Sequence, residues 1–253
     1  MNSRLAIATA SKYCPAVVTN LQSGGGRDLV LQSLSGTKNV GIELGVAKGY
    51  FSKTLLESKK FATLYGVDAY RDIHDNEEYV GALKLTGIST SNFHLLRTDF
   101  KSALNLFDDE FFDFVYVDGY AHTGQEGGST IHDWYRKVKP GGLIAGDDYH
   151  KDWPLVVWAV NHFATLVDQA VTVTEVKYEN EYSAYPSWYL FKPHKEVVLH
   201  LDPRLVVLAR REAKMISKTR YGLYALFRAR CVTMSKVLGL HKWIRKFVLK
   251  RHI

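Results

Sequence analysis

The sequence predicts an open α/β fold built on a parallel sheet, and three observations lead there. From residue 39 to residue 149, short apolar stretches alternate with helical segments, the pattern of βαβ units. Residues 40–52, VGIELGVAKGYFS, read as strand, glycine-rich turn and helix, the opening that binds nucleotides in such sheets. Glu43, Asp68, Asp99, Asp118 and Asp147 all fall where a strand should end, at the edge where these sheets take ligands. Acids gathered on one edge repel one another unless cations or hydroxyls sit among them.

The elements follow in order. Residues 1–38 show no clear periodicity; Ser23-Gly24-Gly25-Gly26-Arg27-Asp28 is a flexible turn, and residues 29–34 suit a short helix. This segment is expected to cap the domain or to fold over its cleft as a lid. Val40-Gly41-Ile42 is a buried strand ending in Glu43. Gly45 and Gly49 frame the turn, whose backbone can approach a ligand closely, and Tyr50 to Leu56 opens a helix whose N-terminus favours an anionic group. The spacing is E-x-G-x-x-x-G rather than the dinucleotide G-x-G-x-x-G, and no G-K-[ST] follows, which excludes a P-loop. Residues 64–68, 95–100, 112–119 and 138–149 supply the next strands. Residues 71–78 suit a polar loop, with His74 solvated, before a helix over residues 79–83. Pro154 suits the first turn of a helix begun at Trp153, and residues 171–176 and 187–191 read as two more strands.

Beyond residue 193 the composition changes. The 253-residue chain has net charge +7, but from His194 onward there are fifteen Lys/Arg against three Asp/Glu, a net of +12 that leaves −5 on the rest. Residues 204–217 and 221–238 have helical spacing. Residues 242–251, KWIRKFVLKR, alternate basic and apolar pairs as an amphipathic helix does. This extension either packs on the domain or on a second subunit of a homo-oligomer, or lies on an anionic membrane surface through Trp243, Phe247 and its basic residues. The expected division is therefore 1–38, 39–193 and 194–253. Cys14 and Cys231 lie far apart and fit a reduced compartment. No run of eighteen apolar residues exists, and the first residues lack a convincing signal peptide. The expected location is the cytoplasm, with peripheral attachment to the inner face of the membrane as an extension of that reading.

The stretch at residues 40–52 resembles motif I of class I S-adenosylmethionine (SAM) methyltransferases, and the later motifs continue the resemblance in order over about residues 38–192. It implies a Rossmann-like sheet of order 3-2-1-4-5-7-6 with one of the last strands antiparallel. It implies SAM held by Glu43, Gly45, Gly49, Tyr50 and Ser52, with Asp68 on the ribose hydroxyls, Asp99 and Phe100 at the adenine, and Asp118 nearby.

The chemistry expected of the site centres on Asp118, Asp147 and Asp148. Carboxylates converging from adjacent strand ends suit Mg²⁺ or another divalent cation. The layout resembles metal-dependent O-methyltransferases of catechols and natural-product sugars, in which such acids hold a metal that binds neighbouring substrate hydroxyls. Val117-Asp118-Gly119-Tyr120-Ala121-His122 resembles the D-G-x-H signature of the sugar enzymes, with one extra residue before His122. His122 is thus the first candidate base and His150 the second, since imidazole titrates near neutrality. The sequence is read as a SAM- and divalent-metal-dependent O-methyltransferase of a sugar or glycan hydroxyl, with a small catechol or phenol as the alternative acceptor. A nucleic-acid-binding protein using the basic tail is a reading from another class. It is disfavoured because the tail holds no nucleic-acid module and no N-P-P-[YF] motif follows the fourth strand.

Overall fold

A computed structural model describes residues 2–71, 75–87, 91–180 and 182–221. Residues 1–210 form one compact unit and residues 211–253 a second. Among the described residues the strands are β1 (Thr19–Gln22), β2 (Asn39–Leu44), β3 (Phe61–Asp68), β4 (Phe93–Arg97), β5 (Phe112–Val117), β6 (Val138–Gly146), β7 (Val171–Thr174) and β8 (Trp188–Phe191). The helices are α1 (Arg4–Tyr13), α2 (Tyr50–Glu57), α3 (Asn76–Thr86), α4 (Phe100–Ala103), α5 (Gly124–Gly127), α6 (Ser129–Tyr135), α7 (Pro154–Val167) and α8 (Pro203–Tyr221).

The sheet runs β1-β7-β8-β6-β5-β2-β3-β4. Without β1, this is the expected order 3-2-1-4-5-7-6. All pairings are parallel except those of β8, which is antiparallel to both β6 and β7. The central strands carry apolar side chains on both faces because helices cover both. Ile42, Leu44, Val115 and Val117 face a cluster with Trp134, Trp158 and Phe163, while Phe114, Tyr116 and Leu143 face one with Phe51, Leu55 and Leu64.

The N-terminal residues hold more order than their sequence suggested. Ser3 caps α1, which packs on α7; Asn161 of α7 donates to the Pro15 carbonyl at 2.7 Å. β1 extends the sheet beyond β7 with an unbroken parallel register from Thr19↔Val171 to Gln22↔Thr174. Residues Arg27–Ser33 then form a 3₁₀ helix that buries Leu29, Val30 and Leu31. Residues 24–26 therefore connect an edge strand to a buried turn, and that connection delivers Arg27 toward the carboxyl ends of the central strands.

In the second unit the only described element is the end of α8. The expected helix over residues 204–217 lies within α8. The expected helices over residues 221–238 and 242–251 fall almost wholly outside the described residues, as does His74. No helix among the described residues is long and apolar enough to cross a membrane.

Candidate active site at the carboxyl edge of the sheet

The turn after β2 is shaped by two glycines with positive φ. Gly45 has φ +99°, and a Cβ there would lie 1.6 Å from the Asp118 carbonyl oxygen. Gly49 has φ +82°, and its Cβ would meet Ala82 of α3 at 3.1 Å. No side chain fits the first position, so the loop packs flat against the end of β5. Gly45 N–H donates to Val67 O at 2.9 Å, and Asp118 N–H donates to Leu44 O at 2.7 Å, which knits the three strand ends together.

Glu43 and Ser52 meet beneath this turn. Both are fully buried, and the Ser52 hydroxyl donates to Glu43 Oε2. Burial lifts the Glu43 carboxyl to about 8; Asp118 and Asp68 add to the rise, while Ser52 and Arg27 oppose it. A buried acid so placed ionises more readily when a cationic ligand arrives.

Asp68 has a structural duty that its expected ribose role did not include. Its Oδ2 accepts the N–H groups of Val46 (3.1 Å) and Ala47 (2.9 Å), and its Oδ1 accepts that of Tyr70 (3.0 Å). The carboxylate fixes the glycine turn, with about one lone pair left over for a ligand hydroxyl. Ala47 itself has φ +47°, so the acid holds a conformation that a free loop would seldom adopt.

The acids at the ends of β5 and β6 depart from expectation, because a side chain from the N-terminal segment stands among them. Arg27 Nη1 donates to Asp118 Oδ2 at 3.2 Å, and Nη2 donates to Asp147 Oδ2 at 2.5 Å. Nη2 also donates to the Tyr182 carbonyl, and the guanidinium lies 5.1 Å from the centre of the Phe51 ring. The arginine side chain is 11% exposed. Asp147 Oδ1 accepts from Ser187 Oγ (3.1 Å), whose oxygen takes the Tyr116 hydroxyl at 2.7 Å. Ser187 has one hydrogen to give, so the proton order runs Tyr116 to Ser187 to Asp147.

Asp148 has φ +64°; its carbonyl accepts the His150 N–H at 2.7 Å, while its carboxylate makes no hydrogen bond or ion pair among the described residues. Burial, with Asp147 and Asp118 close by, raises its carboxyl to about 8. Asp118 and Asp147 thus meet across the Arg27 guanidinium and, with it in place, are not disposed as ligands of a metal ion. Among the described residues no group of three His, Cys, Asp or Glu side chains could hold a metal ion. The cation that the sequence placed here as Mg²⁺ is, in the folded chain, a guanidinium.

The two candidate bases lie along one row of rings. His122 packs edge-on to Trp153 at 4.8 Å, Trp153 meets Tyr185 at 5.8 Å, and Tyr185 meets His150 at 5.3 Å. His150 Nδ1 also accepts the Asp152 N–H at 3.3 Å. Asp148 and Asp152 both act on Tyr185, which places the row beside the acid cluster. Asp99 caps α4, accepting the Ser102 N–H at 2.9 Å, and this bond holds its pKa below the usual range. Phe100 is buried against the Tyr120 ring at 5.1 Å.

Tyr50, at the start of α2, faces Tyr182 at 5.9 Å and lines a cleft of ≈ 480 Å³ with Lys48, Asp75, Glu77 and Glu78. A larger cavity, ≈ 820 Å³, lies around His132, Arg136 and Lys192 and touches none of these residues. Sequence reasoning missed Arg27 and Tyr182. The only local signal for Arg27 was a basic residue directly after three glycines.

Residues 42–149, the span from β2 through the Asp148 turn, match the model of a methyltransferase domain. Sequence and sheet together support a methyltransferase. The match covers less than half of the chain and starts one residue before Glu43. No curated protein matches in sequence.

Among solved structures, an rRNA methylase from Streptococcus thermophilus is 12% identical over 66% of this chain and 94% of its own, with a TM-score of 0.48. The N-methyltransferase NodS from Bradyrhizobium japonicum is 18% identical over 66% and 93%, with a TM-score of 0.47. SMU.1697c from Streptococcus mutans, in complex with S-adenosylhomocysteine (SAH), is 15% identical over 65% and 94%, with a TM-score of 0.48. Likeness at this level says nothing about the acceptor.

Two groups can be tested against the site. A SAM-like cofactor fits: the turn is backbone-lined, Gly45 leaves no side chain in the way, and a buried acid beneath it would gain from a cationic ligand. Arg27 Nε is also a buried donor without a partner among the described residues, and a ligand oxygen would satisfy it. A divalent cation does not fit while Arg27 is in place, because the arginine already holds the oxygens that such an ion would need.

Proposed function

We propose that this protein is a SAM-dependent methyltransferase that methylates a hydroxyl of a sugar or glycan. The observation that carries the cofactor reading is the β2–α2 turn, with Gly45 against Asp118 and Asp68 pinning the loop, inside the segment that matches a methyltransferase domain. Bound SAM supplies an electrophilic methyl on a sulfonium.

The chain's own residues do the remainder. Glu43 meets positive charge on the methionine portion. Asp68 keeps the turn in shape and offers its remaining lone pair to the ribose. Alignment of the acceptor oxygen with the methyl supplies much of the rate. His122, and after it His150, is the group that takes the hydroxyl proton. Hydroxyl chemistry is supported by the resemblance of residues 117–122 to the sugar enzymes. It is supported too by the ring row from His122 to His150, which offers aromatic faces to a sugar beside Asp148. Magnesium has no step in this scheme.

The test is a panel of nucleoside-diphosphate sugars, oligosaccharides and catechols incubated with SAM, with SAH release as the readout. Turnover on a sugar, lost in His122→Ala, supports the reading. Turnover on amines or RNA alone would overturn the hydroxyl assignment. The basic residues after 193 are proposed to hold the enzyme at an anionic lipid surface. Sedimentation with anionic but not neutral vesicles supports this, and indifference to both rejects it.

A further inference from the structure

We propose that Arg27 is a built-in cation that does the work of a divalent ion at this acid cluster, so that the site is charge-compensated without metal and becomes a metal site only when Arg27 is removed. The inference rests on the methyltransferase reading for its activity arm alone; the binding arms stand apart from it.

The geometry of the arginine carries the argument. Two of its nitrogens are shared between the carboxylates of adjacent strand ends, with Asp118 at 3.2 Å and Asp147 at 2.5 Å. A guanidinium presents its donors as a planar fork that matches carboxylate oxygens. Mg²⁺ demands oxygens at about 2.1 Å in near-octahedral array, which cannot be met at oxygens already in contact with an arginine nitrogen. The two cations are thus mutually exclusive here.

The seat of Arg27 is fixed on several sides. Upstream, β1 is in register with β7. Gly26 donates to Asp28 Oδ1 at 3.0 Å, and a Cβ on it would meet Lys177 Cβ at 2.9 Å. Downstream, Leu29, Val30 and Leu31 are buried. The side chain is capped by Phe51 and bonded to the Tyr182 carbonyl. Leaving the site would uncouple Asp118, Asp147 and Tyr182 together. Substituting Arg27 would take the guanidinium from between the Asp118 and Asp147 carboxylates, beside the Asp148 carboxylate, which makes no hydrogen bond or ion pair among the described residues.

The experiment is Mn²⁺ titration of the full-length protein, followed by electron paramagnetic resonance of the free ion. Wild type should leave the Mn²⁺ signal intact through the millimolar range. Arg27→Met should bind Mn²⁺ at least tenfold more tightly, and Arg27→Met/Asp147→Asn should lose that binding. Arg27→Lys keeps a charge in the seat and should bind as little as wild type.

Urea melts in the presence and absence of Mn²⁺ show that each variant is folded, and should show Arg27→Met stabilised by the ion. In the activity arm, SAH release by wild type should survive EDTA. Wild-type Mn²⁺ binding that disappears in Asp118→Asn would overturn the proposal, since the ion would then displace Arg27. A folded Arg27→Met that ignores Mn²⁺ would overturn it as well. If no acceptor is turned over, the methyltransferase reading is in question while the titrations still decide the role of Arg27.

Discussion

Gly45→Ala is the substitution whose cost can be worked most directly from the structure. Alanine at φ +99° is strained whatever the space around it, at about 1–3 kcal/mol. The added methyl would also sit 1.6 Å from the Asp118 carbonyl oxygen, far inside any ordinary contact. The loop or the end of β5 must retreat by roughly 2 Å to restore normal packing. That retreat stretches Gly45 N–H to Val67 O and Asp118 N–H to Leu44 O, each worth about 1 kcal/mol. The total is on the order of 3–5 kcal/mol, at the upper end for a point substitution. Gly49→Ala is the control: it faces Ala82 at 3.1 Å and should cost less, about 1–2 kcal/mol. Urea unfolding gives the stability, and calorimetry with SAH gives the second readout. Gly45→Ala should lose SAH affinity by at least tenfold even where it remains folded. If it unfolds within 0.5 kcal/mol of wild type (the ordinary scatter of a surface change) and binds SAH as well as wild type, the geometry assigned to this turn is wrong.

Three other outcomes follow from the same physics. Arg27→Met removes the guanidinium that Asp118 and Asp147 share and should destabilise the metal-free fold by about 3–5 kcal/mol in urea melts. Glu43 has a folded pKa near 8 against the usual 4.5, so the folded state holds the extra proton and stability falls as pH rises from 4.5 to 8. Glu43→Gln should flatten that part of the stability–pH profile, and an unchanged slope would contradict it. His132 goes the other way. Burial, with His162 and His200 nearby, lowers it from 6.5 to about 4, so the unfolded chain binds the proton first and stability is lost as pH falls from 6.5 toward 4. His132→Phe should remove on the order of 3 kcal/mol of that acid sensitivity, read from melts at pH 7 and pH 4.5.

Much of the fold was legible because its signals are local. Buried strands such as Phe112–Val117 read as apolar runs, and the positions of Gly45 and Gly49 marked the turn before any contact was known. β1 was illegible: Thr-Asn-Leu-Gln lies exposed on the edge of the sheet, and its place comes from pairing with β7, some 150 residues away. Arg27 was hidden for the same reason, since its partners lie 91 and 120 residues distant. Acids at strand ends pointed to positive charge, but their sequence could not say whether an ion or an arginine would supply it. Asp68 was placed correctly at its strand end; its three bonds to the backbone of the neighbouring turns depend on a loop shape that spacing does not encode.

The turn between β2 and α2 is the proposed seat of SAM, and calorimetric titration of the full-length protein with SAH is the direct test. Binding should be saturable and one-to-one. It should be weakened at least tenfold by Asp68→Asn, which replaces an acceptor of the Val46, Ala47 and Tyr70 N–H groups with a side chain that is half donor. Absence of heat and of any thermal shift with SAH or SAM in folded wild-type protein would contradict it.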